Sequence, residues 1–189
     1  MMAWIVQNRL QPYRARSGEG QGPWVTEGIR KEIVEKYFPR YPSKRAALLP
    51  LFHLIMHEHG WIGPGAIEEA SALLEVPAAE VQDAASFYEE FRFEPSGKYV
   101  VNVCRSIACE LCGHEKILEK IKEVFGIENF ETTEDGMLTL FEVECLGLCE
   151  MAPAALVNGE AHGPLTGEGF VKVLKGLARE VGQGDGHRH

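Results

Sequence analysis

All five cysteines of the chain lie between residues 104 and 149, and four of them form two spaced pairs. The pairs are Cys104-x4-Cys109 and Cys145-x3-Cys149, and Cys112 follows the first pair closely. Four thiolates supplied by two loops can hold two irons and two sulfides, with tetrahedral sulfur coordination at each iron. The spacing therefore indicates electron transfer and places that chemistry in the C-terminal half of the chain.

The same cysteines leave other interpretations open. Cys104-x4-Cys109-x2-Cys112 is also the spacing of the first three ligands in plant-type ferredoxins, whose fourth ligand would here be Cys145 or Cys149. Cys109-x2-Cys112 before a helix is typical of a thiol–disulfide enzyme on a thioredoxin-like fold. Four cysteines could also close a structural zinc site. The spacing favours the iron–sulfur class but does not choose among these.

The composition narrows the class of protein. No long apolar run and no hydrophobic signal region is visible, so neither a membrane span nor secretion is predicted. Clustered cysteines in such a chain indicate metal ligands rather than disulfides. The net charge of −9 disfavours nucleic acid as a partner, because phosphate binding needs a basic face. A chain of 189 residues can bury one good core or two small ones.

Residues 25–94 carry helical signals and predict a bundle of short helices. The first helix is expected over residues 43–60, including its Ser43 cap and closing glycine, and Pro50 should bend it or shift its start. Pro64 suits the first position of a second helix, and a third is expected over residues 81–88. None of these is long enough to be stable alone, so they must pack together.

Residues 95–181 alternate between strand and helix patterns. In chain order we predict a strand Tyr99–Val103, a helix Gly113–Phe125, a strand Leu138–Val143, a strand Ala155–Val157 with a hairpin turn at Asn158-Gly159, and a helix after Thr166 with Phe170, Val173, Leu174, Leu177 and Val181 on its apolar face. This order suits a small sheet with helices packed against it, as in thioredoxin-like domains. The predicted fold class is α+β, with a helical N-terminal segment before a thioredoxin-like α/β domain.

The paired cysteines follow directly on predicted strands. Cys104 and Cys109 belong to the loop after the first strand, and Cys145 and Cys149 to the loop after Leu138–Val143. Loops held by a rigid sheet are where ligands are expected. The glycine between the members of the second pair allows the backbone to turn tightly there.

Acidic residues flank the second pair. We expect Glu142, Glu144 and Glu150 to be solvated, although negative charge near a cluster disfavours reduction and lowers the potential. The helix that starts near Gly113 would oppose this effect by pointing its positive end toward the site.

The two ends of the chain lack periodicity. Residues 1–24 are rich in Gly, Pro and Arg and predict a flexible arm, and residues 182–189 predict a disordered tail. The glycines of residues 18–22 superficially resemble a nucleotide loop, but they follow no strand and lack the spacing, so a linker is the better interpretation.

Aromatic residues gather near the end of the helical segment. They are Phe87, Tyr88, Phe91 and Phe93. Packing is the expected role of such a cluster, and a docking surface is the alternative.

The stretch Asp135–Pro153, DGMLTLFEVECLGLCEMAP, closely resembles the signature of the peripheral [2Fe-2S] subunit of complex I, the 24 kDa-type or E subunit of NADH:quinone oxidoreductase. Other parts of the chain also look like that family: the first cysteine pair with Leu111 and Gly113, the segment Ala85–Tyr88 and the helical segment Arg45–Trp61. The resemblance covers roughly residues 30–180. Leu138 departs from the usual Phe, which is a mild apolar exchange.

The resemblance implies that Cys104, Cys109, Cys145 and Cys149 bind one [2Fe-2S] cluster and that Cys112 is a bystander. It implies an electron-transfer subunit that exchanges single electrons with the flavin of a partner subunit. FMN and NADH would be bound only by that partner, so the isolated chain should have no catalytic activity of its own. The chain would be cytoplasmic, peripheral on the cytoplasmic side of the inner membrane as part of the complex, without direct membrane insertion.

Two alternatives to this function remain. Relatives of the family occur in NAD-linked hydrogenases and formate dehydrogenases, so the chain could be the homologous subunit of one of these. The alternative of another class is a thiol–disulfide oxidoreductase or a zinc-stapled interaction module.

Overall fold

The computed structural model describes residues 23–181, with side chains as far as Leu177. The contacts divide the chain between Pro95 and Ser96 into a helical unit and a second unit, here called the sheet unit. The predicted tail and all but the last two residues of the predicted arm lie outside the described residues. Within the described range, no helix is long and apolar enough to cross a membrane.

The helical unit consists of short helices, as its apolar periodicity predicts. Its α-helices in the described part of the chain are α1 (Glu27–Glu32), α2 (Leu48–His59), α3 (Pro64–Leu74) and α4 (Ala78–Phe87). A π-helical turn over Ile33–Tyr37 and a 3-10 turn over Phe38–Arg40 follow α1 directly. Each helix is too short to be stable alone, and their buried faces form one apolar core.

The start of α2 shows how proline sets a helix boundary. The α-helix begins at Leu48, after a 3-10 turn over Lys44–Ala47, so Pro50 lies in its first turn. Amide groups of the first turn have no partner inside a helix, and a proline there removes no hydrogen bond. The predicted shift of the helix start is therefore confirmed, and Gly60 ends the helix with a φ of 79°. Ser43 precedes the 3-10 turn but makes no capping hydrogen bond with its side chain, contrary to expectation.

The prediction of an arm fails at its last residue, because Trp24 is buried in the helical unit. Its ring stands edge-on to Trp61 with centroids 5.0 Å apart. The carboxylate of Glu69 accepts hydrogen bonds from the backbone amides of Trp24 at 3.2 Å and Val25 at 2.8 Å. A Cβ at Gly63 would lie 2.0 Å from the Trp24 ring, so only glycine fits under it.

The sheet unit is built on a mixed four-stranded sheet. Its elements are β1 (Tyr99–Cys104), α5 (Ile107–Leu111), α6 (His114–Phe125), β2 (Leu138–Val143), β3 (Ala155–Val157), β4 (Glu160–His162) and α7 (Gly167–Val181). The strand order is β2-β1-β3-β4, with β1 parallel to β2 and antiparallel to β3. Strand β4 pairs antiparallel with β3.

Most predicted elements of this unit are confirmed. Strand β2 has the predicted bounds, and β1 extends the prediction by one residue to include Cys104. The hairpin between β3 and β4 turns at Asn158 and Gly159, whose φ angles of 48° and 86° suit the predicted turn. The short helix α5 was not predicted, because five residues are too few to show a helical period.

The inward face of α7 differs in part from the prediction. Phe170, Val171 and Leu174 are buried, whereas Val173 is 38 % exposed. Val171 and Val173 flank the line through Phe170 and Leu174 on opposite sides of the helix, because successive residues are about 100° apart. The sequence pattern alone does not say which flank the rest of the unit covers.

The adjacent residues Leu174 and Val173, one buried and one exposed, give a matched test of the core. Leu174 is 0 % exposed, so Leu174→Ala should lower the free energy of unfolding by about 2–5 kcal/mol. Val173→Ala should change it by no more than about 0.5 kcal/mol, because its side chain stands at the surface. Urea denaturation followed by circular dichroism measures both. Equal effects of the two substitutions would contradict the observed face of α7.

Candidate metal centre

The parallel pairing of β1 and β2 brings the two cysteine loops to one edge of the sheet. Cys104 ends β1 opposite Val143, which ends β2. The pairing continues one residue beyond β1, because the backbone amide of Arg105 donates to the Val143 carbonyl at 2.9 Å. Carboxyl ends of neighbouring parallel strands open at the same edge, so Cys104 and Cys145 start from adjoining positions.

The first pair is buried. Cys104 and Cys109 are 3 % and 2 % exposed, and the Cys104 side chain raises the pKa of the Cys109 thiol. Ala154, just before β3, contacts both cysteines through its backbone. Its carbonyl accepts from the Cys104 amide at 3.0 Å, and its backbone lowers the pKa of the Cys109 thiol, which offsets part of the effect of burial. The segment that leads into β3 therefore also holds the first cysteine pair in place.

The second pair is exposed. The sulfurs of Cys145 and Cys149 are 4.0 Å apart. Gly147 between them has a φ of 75°, which is the tight turn that the sequence predicts, and its amide donates to the Cys145 sulfur at 3.4 Å. Cys149 begins a 3-10 turn that ends at Met151.

The sulfur–sulfur distance in the second pair suits the binding of both thiols to one metal ion. Two sulfurs bound to one tetrahedral metal ion at ~2.3 Å would lie roughly 3.8 Å apart, close to the spacing of Cys145 and Cys149. The two pairs also interact electrostatically, because Cys149 raises the pKa of Cys109 and Cys104 raises the pKa of Cys149. Within residues 23–181, no three His, Cys, Asp or Glu side chains are grouped closely enough to hold a metal ion together.

The electrostatics of the pairs favour a bound cation. Burial raises the pKa of the Cys109 thiol, and the neighbouring Cys104 raises it further. The hydrogen bond between the Cys145 and Cys149 thiols raises the pKa of Cys149. A second thiolate in either pair is unfavourable without positive charge, and a metal ion supplies that charge and deprotonates its thiol ligands outright. Four thiols in two such pairs fit a binuclear iron–sulfur cluster by number, type and pairing.

Apolar side chains cover the buried side of this site. Leu146, Leu148 and Met151 pack with Ala154 around the first pair. An apolar shell restricts water and lowers the local dielectric, which tunes the potential of a redox centre. The site is therefore closed on the side of the first pair and open on the side of the second.

Cys112 differs from the other four cysteines in its surroundings. It lies at the C-terminal cap of α5 and is exposed, whereas Cys109 three residues earlier is buried. Its exposed neighbours on α5 are apolar, with Ile107 75 % and Leu111 83 % exposed. Its role as a bystander remains a prediction.

An ion pair next to the ligands was missed by sequence reasoning. Both Nε and Nη2 of Arg105 donate to Oε1 of Glu144, at 3.1 and 2.8 Å. Glu144 is solvated as expected, with 61% of its side chain exposed, but its pairing with Arg105 was not predicted. The partners are 39 residues apart in the sequence, so no local pattern could have indicated the pair.

The comparisons with known proteins agree with this geometry. The fold is that of a thioredoxin-like domain, and the matching family model is one of [2Fe-2S] proteins, which the paired thiols fit. The chain belongs to the thioredoxin-like [2Fe-2S] ferredoxin family, whose model matches residues 34–178. The family resemblance and the fold class that the sequence predicts are thereby confirmed.

Relatives extend over most of the chain. It is 39% identical over 135 residues to NADH-quinone oxidoreductase subunit 2 of Thermus thermophilus, covering 70% of this chain and 75% of the relative. It is 32% identical over 152 residues to the E subunit of the NADH-quinone oxidoreductase of Pseudomonas aeruginosa, covering 80% and 92%.

A solved structure shares the fold. The NAD+-reducing [NiFe]-hydrogenase in the H2-reduced state aligns with a TM-score of 0.62 at 24% identity. The alignment covers 71% of this chain but only 22% of the hydrogenase chain, so this chain spans less than a quarter of that neighbour. At this identity the likeness concerns the fold alone.

Proposed function

We propose that this chain is an electron-transfer subunit of an NADH-quinone oxidoreductase. The observation that carries the proposal is the placement of two thiol pairs at the ends of parallel strands, in a chain whose relatives bear that name. Cys104, Cys109, Cys145 and Cys149 would hold one [2Fe-2S] cluster. When bound, this group supplies reversible one-electron exchange between Fe(III) and Fe(II).

The residues around the thiols position them and tune their charge. The amide of Gly147 donates to the sulfur of Cys145, and such a hydrogen bond stabilises negative charge on sulfur. The backbone of Ala154 acts in the same direction on Cys109, whose pKa it lowers. Leu146 and the other apolar residues keep water from the first pair. The chain thus binds, orients and shields its redox group, and no side chain need form or break a substrate bond.

We further propose that the electrons come from the flavin of a partner subunit, which also binds NADH. The open side of the site, where Cys145 and Cys149 are exposed, is where an electron could enter without crossing the buried core. NADH is a cytoplasmic reductant, so the proposal includes a peripheral position on the cytoplasmic side of the membrane, through other subunits of the complex.

Two exposed apolar sites are candidates for contact with that partner. On the helical unit, Phe87 is 76 % exposed and Tyr88 is half-exposed, beside a shallow groove of about 310 Å³. Phe91 contacts the Tyr88 ring with centroids 6.0 Å apart but is itself buried against Phe52 at 5.2 Å, which is the packing role that the sequence predicts. On the sheet unit, Ile107 and Leu111 of α5 present the second site. Large apolar side chains at the surface often mark interaction sites when they occur together.

A second candidate function is the corresponding part of an NAD-linked hydrogenase or formate dehydrogenase. The common fold with the NAD+-reducing [NiFe]-hydrogenase favours it as far as a fold can. The subunits that co-purify with this chain distinguish the candidates, because only one set would contain a quinone-reducing membrane part.

Analysis of the purified chain tests the cluster directly. Protein prepared without oxygen should be red-brown and contain about two irons and two acid-labile sulfides per chain, as a [2Fe-2S] cluster requires. Chemical reduction should bleach the colour and produce a single paramagnetic signal. Colourless protein with one tightly held zinc would contradict the proposal and support a structural zinc site instead.

A further inference from the structure

The ion pair between Arg105 and Glu144 joins the two cysteine loops next to the proposed ligands. Arg105 directly follows Cys104, and Glu144 directly precedes Cys145. Two nitrogens of one guanidinium donate to the same carboxylate oxygen, and the Arg105 amide donates to the Val143 carbonyl. Arg105 therefore makes three hydrogen bonds to Val143 and Glu144, the two residues that lead into the second cysteine loop.

The ion pair of Arg105 and Glu144 is better suited to position the two cysteine loops than to stabilise the fold. An isolated ion pair at a surface adds little to the free energy of unfolding. The Arg105 side chain, however, is only 28% exposed, so solvent screens it less than a free surface charge. The planar fork of arginine also restricts the orientation of its partner more than a lysine ammonium would.

The charges of the two loops make Arg105 distinctive. In the sequence of residues 104–112 and 143–153, it is the one Lys or Arg, against Glu110, Glu144 and Glu150. Negative charge beside a redox centre disfavours the uptake of an electron, and a nearby positive charge offsets it. Loss of the arginine would leave the acidic residues of the loops without that compensation.

We propose that Arg105 is a positioning residue for the cluster, holding the two ligand loops together through Glu144 and raising the reduction potential with its charge. The inference rests on the proposed ligation by the four paired cysteines. It gives two separable consequences. Charge acts on the potential, whereas the hydrogen-bonded fork acts on how firmly the loops enclose the iron.

Three substitutions separate charge from geometry. Arg105→Gln removes the positive charge and the fork, so the potential should fall and iron should be lost several-fold faster to a chelator. Glu144→Gln removes a negative charge, so the potential should rise, again with faster loss of iron. Arg105→Lys keeps the charge but not the fork, so the potential should stay near that of the unsubstituted chain while iron is still lost faster.

A matched control is available in the same unit. Lys122 forms an ion pair with Glu128 near the C-terminal end of α6. It lies two turns or ~12 Å along the helix from His114, where the helix begins after the first cysteine loop. Lys122→Gln should change neither the potential nor the rate of iron loss. The combined Arg105→Gln and Glu144→Gln variant should lose iron no faster than the faster single variant, because both remove one contact.

Redox titration followed by electron paramagnetic resonance gives the potentials, and absorbance decay in the presence of a chelator gives the rates. An unchanged potential and rate in Arg105→Gln would overturn the proposal. So would shifts of the potential in the same direction for Arg105→Gln and Glu144→Gln. If Arg105→Gln does not fold, the paired results for Arg105→Lys and Glu144→Gln decide.

Iron and sulfide content of the unsubstituted chain is measured first, so that failure of the cluster proposal is recognised separately. The positioning role is then tested on the cluster-free chain by amide hydrogen exchange. Exchange over residues 144–149 should be faster in Arg105→Gln than in Lys122→Gln. Equal exchange would overturn the positioning role whether or not a cluster binds.

Discussion

Serine in place of any one of Cys104, Cys109, Cys145 and Cys149 should abolish the cluster, whereas Cys112→Ser should retain it. Each iron of a [2Fe-2S] cluster takes two protein thiolates, so loss of one leaves an iron with an open position. A serine oxygen is a harder ligand that does not replace a thiolate well. Cys112 stands exposed at the end of α5, apart in its surroundings from the buried Cys109.

Five variants purified side by side without oxygen test this expectation. Iron, acid-labile sulfide and visible absorbance are measured for each, with Cys112→Ser as the matched control because it also removes one thiol. Circular dichroism verifies that each variant is folded. Loss of the cluster in Cys112→Ser together with retention in Cys145→Ser or Cys149→Ser would establish the plant-type set of ligands instead.

The geometry already weighs against the thiol–disulfide alternative. A catalytic cysteine is exposed and has a lowered pKa, because the thiolate is the nucleophile. Cys109 is buried, and that burial raises its pKa. A pair in which the first thiol is buried and protonated is poorly suited to attack a disulfide, whereas a metal ion would deprotonate the same thiol on binding.

The elements around the site follow from local patterns in the sequence. Apolar runs between turn residues indicate β1 and β2, and the Asn158-Gly159 turn fixes the hairpin that follows. Pro64 marks the start of a helix because its fixed φ suits the first helical position, and Gly60 marks the end of another because glycine readily adopts a positive φ. Each of these signals acts over a few residues, and for that reason each can be recognised in a single chain.

The features that long-range packing decides could not be predicted in this way. Burial of Trp24 depends on the space above Gly63 and on a carboxylate at Glu69, both about 40 residues away in the sequence. The burial of Val171 rather than Val173 depends on which elements cover α7. The contact of Arg105 with Glu144 depends on the parallel register of two strands.

The cysteine pairs lie between these two cases. The sequence places each pair after a predicted strand, and the parallel pairing of β1 with β2 brings the pairs together, although Cys104 is the last residue of β1 and Cys109 lies in α5 rather than in a loop. The spacing does not indicate that one pair is buried and the other exposed. That difference arises because Ala154 and the apolar residues around it cover only the first pair. It gives the site one open side, and electron exchange with a partner is expected there.

The isolated chain should accept electrons from a strong chemical reductant but should not oxidise NADH. Its relatives are named as subunits, and the proposed flavin and NADH sites belong to another chain. Co-expression with the flavin subunit should give a stable heterodimer, in which NADH bleaches the flavin. A stable interface of this kind should bury at least ~1,000 Å². Whether NADH also reduces this cluster depends on its potential, so a cluster that stays oxidised does not count against docking.

Single substitutions then locate the contact. Phe87→Ala and Leu111→Ala each remove a large exposed apolar side chain, one from each unit, while Val34→Ala removes a smaller one that is 44 % exposed. An anchor residue buried in the interface costs ~2 kcal/mol or more when truncated, which weakens Kd roughly 30-fold. We expect at least one of the first two variants to show this loss in a titration of the heterodimer, and Val34→Ala to bind normally. NADH oxidation by the flavin-free chain, or no association with the flavin subunit, would refute the proposed division of labour, because a chain that carries only the cluster needs a partner to supply electrons.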